Sequence, residues 1–431
     1  MPEKILLVQV AACGYNFLMH NTGGRELYHH LAVKPIQALF PALTCVVQAS
    51  LRTAALPRSH GIVGNGFFFR EEWKPLFWEQ SSRLIQGPRI WEGFRSRGGK
   101  VALMFIQQSL GPDSDLFLSP APVHKHHGGM ILDCISEPPE LNHRLRQALG
   151  RVFPLHHYWG PLASKKSSQW ITRALMAVME GESPDFLYAY LPHLDYALQK
   201  YGPTAQESRK AFHELDSLLG SLLPAARKGK YRVILFGDYP ILEARGVVFP
   251  NKALRKAGFF KTRDIGGRLY PNYHTSAAFG IADHQIAHIQ LFEPGKLQEV
   301  RDVLEKLPGV DKVLDRTAMA EVGLDHPRSG ELVLVASPGY WFDYRWWDER
   351  KEAPDFAGHV DIHNKPGYDP CELFWGWPPP SISQNPSRIK GTHGRVDHHE
   401  PVFYATDLEL PHEPGSIIEL AESIRELLDS R

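Results

Sequence analysis

The sequence predicts an α/β protein in which a mostly parallel sheet is sandwiched between helices and a small α+β subdomain is added. Five short apolar runs are typical of strands that are buried on both faces: 5–10, 101–106, 186–191, 233–236 and 332–336. Segments with helical periodicity, such as 167–179 and 208–223, lie between them. Strands that alternate with helices favour a parallel sheet that is covered on both sides.

The subdomain is predicted over 275–340, where strands and a helix follow one another closely. Its segments are a strand at 286–292, a helix at 296–307, and strands at 310–314 and 331–336. We therefore expect the core to be formed by 1–274 and 341–431. The last part is rich in Trp and Pro, which predicts irregular packed loops, and it closes with an amphipathic helix at 417–428.

Charge and composition limit the function classes. The 431 residues include 48 Lys and Arg and 48 Asp and Glu, so the formal net charge is zero. A neutral chain has no general attraction for polyanions, which argues against a nucleic acid polymer as partner but allows a small phosphorylated substrate. No apolar run is long enough for a membrane span, and the first ten residues lack a signal-peptide pattern. Four scattered cysteines fit a reducing compartment, so we expect a cytoplasmic protein, and the sequence leaves its oligomeric state open.

The segment 40–69, FPALTCVVQASLRTAALPRSHGIVGNGFFF, contains the first candidate catalytic residue. Pro41 and its small neighbours predict a turn, and Thr44 stands where a helix would begin. A hydroxyl at that place meets free backbone N–H groups and the positive end of the helix dipole, which also stabilise a phosphate. Taken alone, such a threonine is more often an ordinary helix cap.

The complete segment resembles the nucleophile region of the type I phosphodiesterase/nucleotide pyrophosphatase family, a branch of the alkaline phosphatase superfamily. In that family a Thr opens a helix and a PxSHGIxxN stretch follows, which here reads PRSHGIVGN at 57–65. The resemblance implies an alkaline-phosphatase-like core. It also implies that Thr44 is the nucleophile and that Asn65, 21 positions later, donates to a phosphoryl oxygen.

Three further motifs resemble the metal-binding motifs of the same family. They are YLPHLDYALQKYGP with Asp195, VILFGDYPI with Asp238, and GTHGR with His393. The resemblance implies that these side chains bind one or two divalent ions, with zinc as the first choice and manganese or iron as alternatives.

Three positions depart from the family pattern. Cys13 stands where the family has an Asp, while Gln199 and Tyr239 stand where it has His. The best replacement ligands are Asp361 and His363, because two residues of spacing in an extended strand place both on one face.

A second source of replacement ligands is ADHQIAH at 282–288, with Asp283, His284 and His288. For both groups, hydrogen bonding within a polar loop is the alternative interpretation.

Taken together, the motifs imply a metal-dependent hydrolase of phosphate esters that acts through a phosphothreonine intermediate at Thr44. The alternative is a catalytically weak or inactive relative that binds a phosphorylated metabolite or partner. The three departures favour the alternative, whereas the retained Thr44 and Asn65 favour the enzyme. Whether the substrate is a monoester, a diester, a nucleotide, a lipid head group or a phosphonate stays open.

Overall fold

The computed structural model describes residues 4–25, 27–126 and 129–431. Over these residues the core is one nine-stranded sheet. From edge to edge its strands are Cys134–Glu137, Leu116–Pro120, Val101–Met104, Phe186–Leu191, Lys4–Val10, Tyr231–Gly237, Val402–Thr406, Leu31–Ile36 and Leu27–Tyr28.

The middle of this sheet is parallel. Lys4–Val10 pairs in parallel with Phe186–Leu191 on one side and with Tyr231–Gly237 on the other. Val101–Met104 and Leu116–Pro120 continue the parallel order, and the outer pairs are antiparallel. Nearly every residue of the central strands is buried, which explains why they appear in the sequence as unbroken apolar runs. The predicted mostly parallel sheet is confirmed.

Two groups of packed helices accompany the sheet. Lys165–Gly181 and His193–Tyr201 both pack against the long helix Gln206–Lys228, and Thr44–Thr53 packs against Ile417–Asp429. The other helices of the described residues are Tyr15–Thr22, Pro57–His60, Glu92–Ser96, Glu140–Leu149, Pro250–Lys256, Leu297–Glu305 and Arg316–Glu321. None of the helices in the described part of the chain has the length and apolarity that crossing a bilayer requires.

A separate four-stranded antiparallel sheet lies in the chain between the core strands Tyr231–Gly237 and Val402–Thr406. Its order is Ala278–Asp283, Ile286–Leu291, Leu332–Ala336 and Val310–Leu314, and the helix Leu297–Glu305 contacts the last of these strands. Leu332–Ala336 therefore lies in this small sheet and not in the parallel one, because a buried apolar run does not by itself show which sheet it joins. The boundaries of the subdomain at 275 and 340 stay a prediction.

The ends of the central strands determine where the functional side chains lie. Asp238 directly follows Tyr231–Gly237, and Asp195 lies in the first turn of the helix that follows Phe186–Leu191. The tip of the hairpin in the small sheet reaches the same region, since the Gln285 N–H donates to the His393 carbonyl over 2.9 Å. Loops beyond the carboxyl ends of parallel strands are where ligands bind in such sheets.

Candidate active site

Thr44 begins a helix whose ten residues are all buried. Leu43 before it has an extended backbone, so the chain turns into the helix at Thr44 itself. The Thr44 hydroxyl lies 2.9 Å from the hydroxyl of Tyr239 and lines a cavity of about 680 Å³. A hydroxyl-bearing residue at the positive end of a helix therefore borders a space that is large enough for a small molecule.

Four of the five predicted metal ligands line the same cavity as Thr44. They are Asp195, Asp361, His363 and His393. Asp238 and Asn65 are not among the residues that line it.

The Asn65 side chain is engaged within the protein. Its Oδ1 accepts a hydrogen bond from the Cys45 N–H over 3.0 Å, and its Nδ2 donates to Asp283 over 3.1 Å. The Asn65 main-chain N–H donates to the other oxygen of Asp283 over 2.7 Å. Asn65 and Asp283 thus connect the start of the Thr44 helix to the small sheet. The predicted donation from Asn65 to a phosphoryl oxygen stays a prediction that this geometry does not support.

Four rings form a continuous stack along the cavity. The rings of Tyr239 and His393 are 3.7 Å apart and nearly parallel, those of His393 and His284 are 3.8 Å apart, and those of His284 and Tyr368 are 3.7 Å apart. We call Tyr239, His393, His284 and Tyr368 the ring stack. It begins beside Thr44, because Tyr239 bonds to the Thr44 hydroxyl.

Both imidazoles of the ring stack are held neutral. Burial lowers the pKa of His284 and of His393 well below the usual value. His393 Nδ1 lies 2.7 Å from the Ala42 carbonyl, which can only accept, and His284 Nδ1 lies 2.7 Å from the Asp283 carboxylate. The proton of each ring is therefore on Nδ1, and each Nε2 has a free lone pair. His284 Nε2 has no hydrogen-bond partner among the described residues.

His284 reaches the cavity because of an unusual backbone conformation. It occupies the tip of the hairpin between Ala278–Asp283 and Ile286–Leu291, with φ of 58°. A left-handed conformation is uncommon for residues other than glycine, and it is concentrated at tight turns and functional sites. His288, by contrast, bonds to the Val63 carbonyl and to the Gly330 N–H, so it supports the packing of the small sheet.

The Asp195 carboxyl is buried in the wall of the cavity. One oxygen accepts a hydrogen bond from Gln199 Nε2 over 2.7 Å, and the other has no partner among the described residues. The Gln199 carbonyl oxygen in turn accepts from the Tyr368 hydroxyl over 2.7 Å. Burial raises the pKa of Asp195 to about 7, against the opposing effects of Gln199 and Tyr239.

The raised pKa of Asp195 predicts a pH-dependent stability. Because its pKa is about 3.9 when unfolded and about 7 when folded, the folded state binds the extra proton. The proton on Asp195 thus stabilises the folded state. This stabilisation is complete below the unfolded pKa and is lost as the pH rises through the folded pKa, at up to about 1.4 kcal/mol per pH unit. We expect Asp195→Asn to flatten the fall in unfolding free energy between pH 5 and 7, measured by denaturant titration. Equal slopes in the two proteins would contradict the raised pKa.

Asp238 and Cys13 are directed into the protein and away from the cavity. One Asp238 oxygen accepts from the main-chain N–H groups of Ala12 and Tyr239, and the other accepts from Gln9 Nε2 over 2.7 Å. Cys13 is buried, and burial together with Asp238 raises the pKa of its thiol. A carboxylate whose two oxygens both accept hydrogen bonds from the core supports the loop around it.

Asp361 and His363 line the cavity but are held by their own loop. The Asp361 carboxylate accepts two hydrogen bonds from the side-chain amide of Asn364, and His363 Nδ1 lies 3.3 Å from the Phe77 carbonyl. The described residues include no group of three or more His, Cys, Asp or Glu side chains that could hold a metal ion. The substitution of lost ligands by Asp361 and His363 stays a prediction, and the hydrogen bonds of their own loop compete with it.

The residues present do not fit the two-ion site that the resemblance implies. A phenol and an amide replace two imidazole ligands at Tyr239 and Gln199, and both are weaker ligands for zinc. The Tyr239 ring also packs directly on His393, and Asp238 makes its hydrogen bonds inside the core. The metal-binding roles of Asp195, Asp238 and His393 stay predictions without support from this geometry.

We expect the purified protein, handled without chelators, to contain much less than one zinc, manganese or iron ion per chain. The measurement is elemental analysis. The matched control is the triple variant Cys13→Asp, Gln199→His and Tyr239→His, which restores the family residues and should gain metal. One or two ions per wild-type chain, lost on Asp195→Ala, would contradict the argument from the ligand set.

Sequence reasoning predicted neither that Asp283 holds Asn65 nor that His284 and His393 belong to a stack of rings. The ADHQIAH segment drew attention to Asp283 and His284 as metal ligands, whereas the structure uses them to tether Asn65 and to extend the ring stack. These roles depend on the hairpin tip meeting the core, and no spacing in the sequence indicates that contact.

Comparisons with known proteins agree with this architecture. The type I phosphodiesterase/nucleotide pyrophosphatase family profile matches residues 25–369. Phosphonoacetate hydrolase from Sinorhizobium meliloti 1021, solved with phosphonoformate, is 17% identical with a TM-score of 0.65, over 99% of this chain and 95% of that one. Murine ectonucleotide pyrophosphatase/phosphodiesterase 5 is 14% identical with a TM-score of 0.60 over the same shares. An inactive variant of the murine protein was solved with AMP. At these identities the solved structures establish the fold.

Proposed function

Since the chain belongs to the type I phosphodiesterase/nucleotide pyrophosphatase family, we propose that it hydrolyses a small phosphoric ester, with the Thr44 hydroxyl as the nucleophile. The observation that carries the proposal is the position of that hydroxyl at the first residue of a buried helix, facing the 680 Å³ cavity. The solved relatives were captured with phosphonoformate and with AMP, which are small ligands of the matching chemical class.

The proposed reaction proceeds in two displacements. The Thr44 oxygen attacks phosphorus, the bond to the leaving alcohol breaks, and the phosphoryl group is transferred to Thr44. A water molecule then attacks the same phosphorus, which releases the phosphate product and restores the hydroxyl. Each displacement forms one P–O bond and breaks another, so the atoms balance.

The proton of Thr44 has an acceptor within reach. The hydroxyls of Thr44 and Tyr239 are 2.9 Å apart, and the Tyr239 hydroxyl also influences the pKa of Asp195. In the proposed first step the Thr44 proton passes to the Tyr239 oxygen, and the Tyr239 proton passes through a water molecule to the Asp195 oxygen that has no partner among the described residues. The leaving alcohol takes its proton from water, and the Asp195 proton returns along the same path when the second displacement restores the Thr44 hydroxyl. No step is assigned to Asn65, because its amide is bonded to Cys45 and Asp283.

A second candidate function is binding of a phosphorylated ligand without turnover. It is favoured by one specific observation: the Cys45 N–H at the helix start donates to Asn65 Oδ1, so that donor is not available to stabilise a developing charge.

The experiment that separates the two functions is hydrolysis of aryl phosphodiesters by the wild type and by Thr44→Ala, combined with calorimetric binding of the aryl phosphate product. Turnover that disappears in Thr44→Ala supports the hydrolase. Binding of the product without turnover of any ester in the wild type would replace the hydrolase with the binding function.

A further inference from the structure

The mouth of the cavity above Thr44 carries exposed apolar side chains. Met130, Leu132, Leu162 and Trp375 line the cavity, and each of them is 40–46% exposed. We call these four the apolar rim. Large apolar side chains are scattered singly on most protein surfaces, whereas a contiguous group around a cavity marks a binding site.

The apolar surface continues beyond the rim. Val123, Ile131 and Ile135 lie in the same segment as Met130 and Leu132, and all three are more than 40% exposed. Trp377, two residues after Trp375, is 77% exposed. These four residues add exposed apolar surface in the segments that also contribute the rim.

The walls of the cavity are aromatic and carry no fixed positive charge. Trp78, Tyr158, Trp159, Tyr190 and Tyr196 contribute rings to them. Among the described residues that line the cavity, none is a Lys or an Arg.

Carboxyl groups give the same cavity an acidic character. Glu79, Asp195 and Asp361 line it, and its imidazoles at His284 and His393 are held neutral by burial. Each negative charge of a ligand meets repulsion here, and a phosphodiester brings one such charge where a phosphate monoester brings up to two. The lining thus fits an ester of low charge with a large apolar part.

We propose that the substrate is an amphiphilic phosphodiester, a monoanion with a single long alkyl chain that leaves the cavity along the apolar rim. The inference rests on the proposed function of this site and specifies its substrate class. The phosphate meets Thr44 at the helix start, the aromatic walls enclose the middle of the molecule, and the chain replaces water on the rim. Removal of apolar surface from water then provides the binding free energy that charge pairing does not supply.

The test is a chain-length series of 4-nitrophenyl alkyl phosphodiesters, with methyl, butyl and octyl groups, below their micelle-forming concentrations. We expect kcat/KM to rise about two- to fourfold per added methylene, as expected for burial of apolar surface. Leu132→Ser and Leu162→Ser should flatten this dependence, with a larger fold-loss of kcat/KM for the octyl ester than for the methyl ester. Leu297→Ser is the matched control, because Leu297 is 39% exposed and is not one of the cavity-lining residues.

The outcomes separate this inference from the proposed function. Equal kcat/KM for the methyl and octyl esters would overturn the inference and leave the hydrolase in place. A rate that increases only above the micelle-forming concentration would also overturn it, since the chain is proposed to enter as a single molecule. If no ester is hydrolysed, binding of methyl octyl phosphate and dimethyl phosphate, followed by tryptophan fluorescence, tests the inference alone. Tighter binding of the octyl compound supports it, and equal binding overturns it.

Discussion

Thr44→Ala is expected to reduce the hydrolysis of an aryl phosphodiester by roughly 10³-fold or more while leaving the protein folded, because the nucleophile is lost. The helix itself should tolerate the change. Alanine has the highest helix propensity, and the residue that precedes the helix is Leu43, so Thr44 is not the helix cap in this structure. The measurement is the initial rate together with far-ultraviolet circular dichroism of both proteins.

Two matched variants test whether the loss of activity in Thr44→Ala comes from the missing hydroxyl. Thr44→Ser retains a hydroxyl at the helix start and should keep measurable turnover. Thr53→Ala removes a buried hydroxyl from the other end of the same helix, where it only donates to the Ala49 carbonyl, and should stay within about twofold of the wild-type rate. A wild-type rate in Thr44→Ala would remove Thr44 from the mechanism.

Asp283→Ala is expected to give the largest loss of stability, about 3–5 kcal/mol of unfolding free energy, because it leaves several buried donors unpaired. The Asp283 carboxylate accepts from the main-chain N–H and the side-chain amide of Asn65 and bonds to His284 Nδ1. It is 1% exposed, so water cannot take its place without a rearrangement. The change should also release Asn65 and the ring stack, so activity should fall together with stability.

The measurement for Asp283→Ala is denaturant-induced unfolding at neutral pH. Asp283→Asn keeps one acceptor oxygen and should lose less unfolding free energy than Asp283→Ala. Asp264→Ala is the matched control on another hairpin, where an exposed carboxylate accepts only the Gly267 N–H, and it should cost less than about 1 kcal/mol. Similar losses for Asp264→Ala and Asp283→Ala would show that Asp283 is not the connection between the helix and the small sheet.

The core of the fold was predictable because its signal is local. Strands that are buried on both faces must be apolar at every position, and Phe186–Leu191 and Tyr231–Gly237 follow that rule. The terminal helix was also predictable from a local pattern. Its periodic apolar face predicted a helix at 417–428, and the structure has one at Ile417–Asp429. Sheet membership was less predictable. The run at 332–336 is equally apolar, yet its partners are the antiparallel strands Ile286–Leu291 and Val310–Leu314.

The candidate site was predictable only in part. The resemblance of their motifs to those of the family implied that Thr44, Asp195 and His393 share one site, and all three line one cavity. Their partners could not be predicted, because hydrogen bonds within a buried site depend on distances of tenths of an ångström. Asp238 illustrates this point: its motif suggested a metal ligand, whereas three donors from the core occupy its two oxygens.

The central claim is that the Thr44 oxygen becomes bonded to phosphorus during turnover. The most direct measurement is mass spectrometry of peptides from a reaction quenched in acid while an aryl phosphodiester is being hydrolysed. We predict a peptide in which Thr44 carries the phosphoryl group with the second ester group of the substrate still attached, present during turnover and absent from Thr44→Ala. Steady hydrolysis by the wild type with no such Thr44 peptide, under quench conditions that preserve a threonine phosphodiester standard, would contradict the claim.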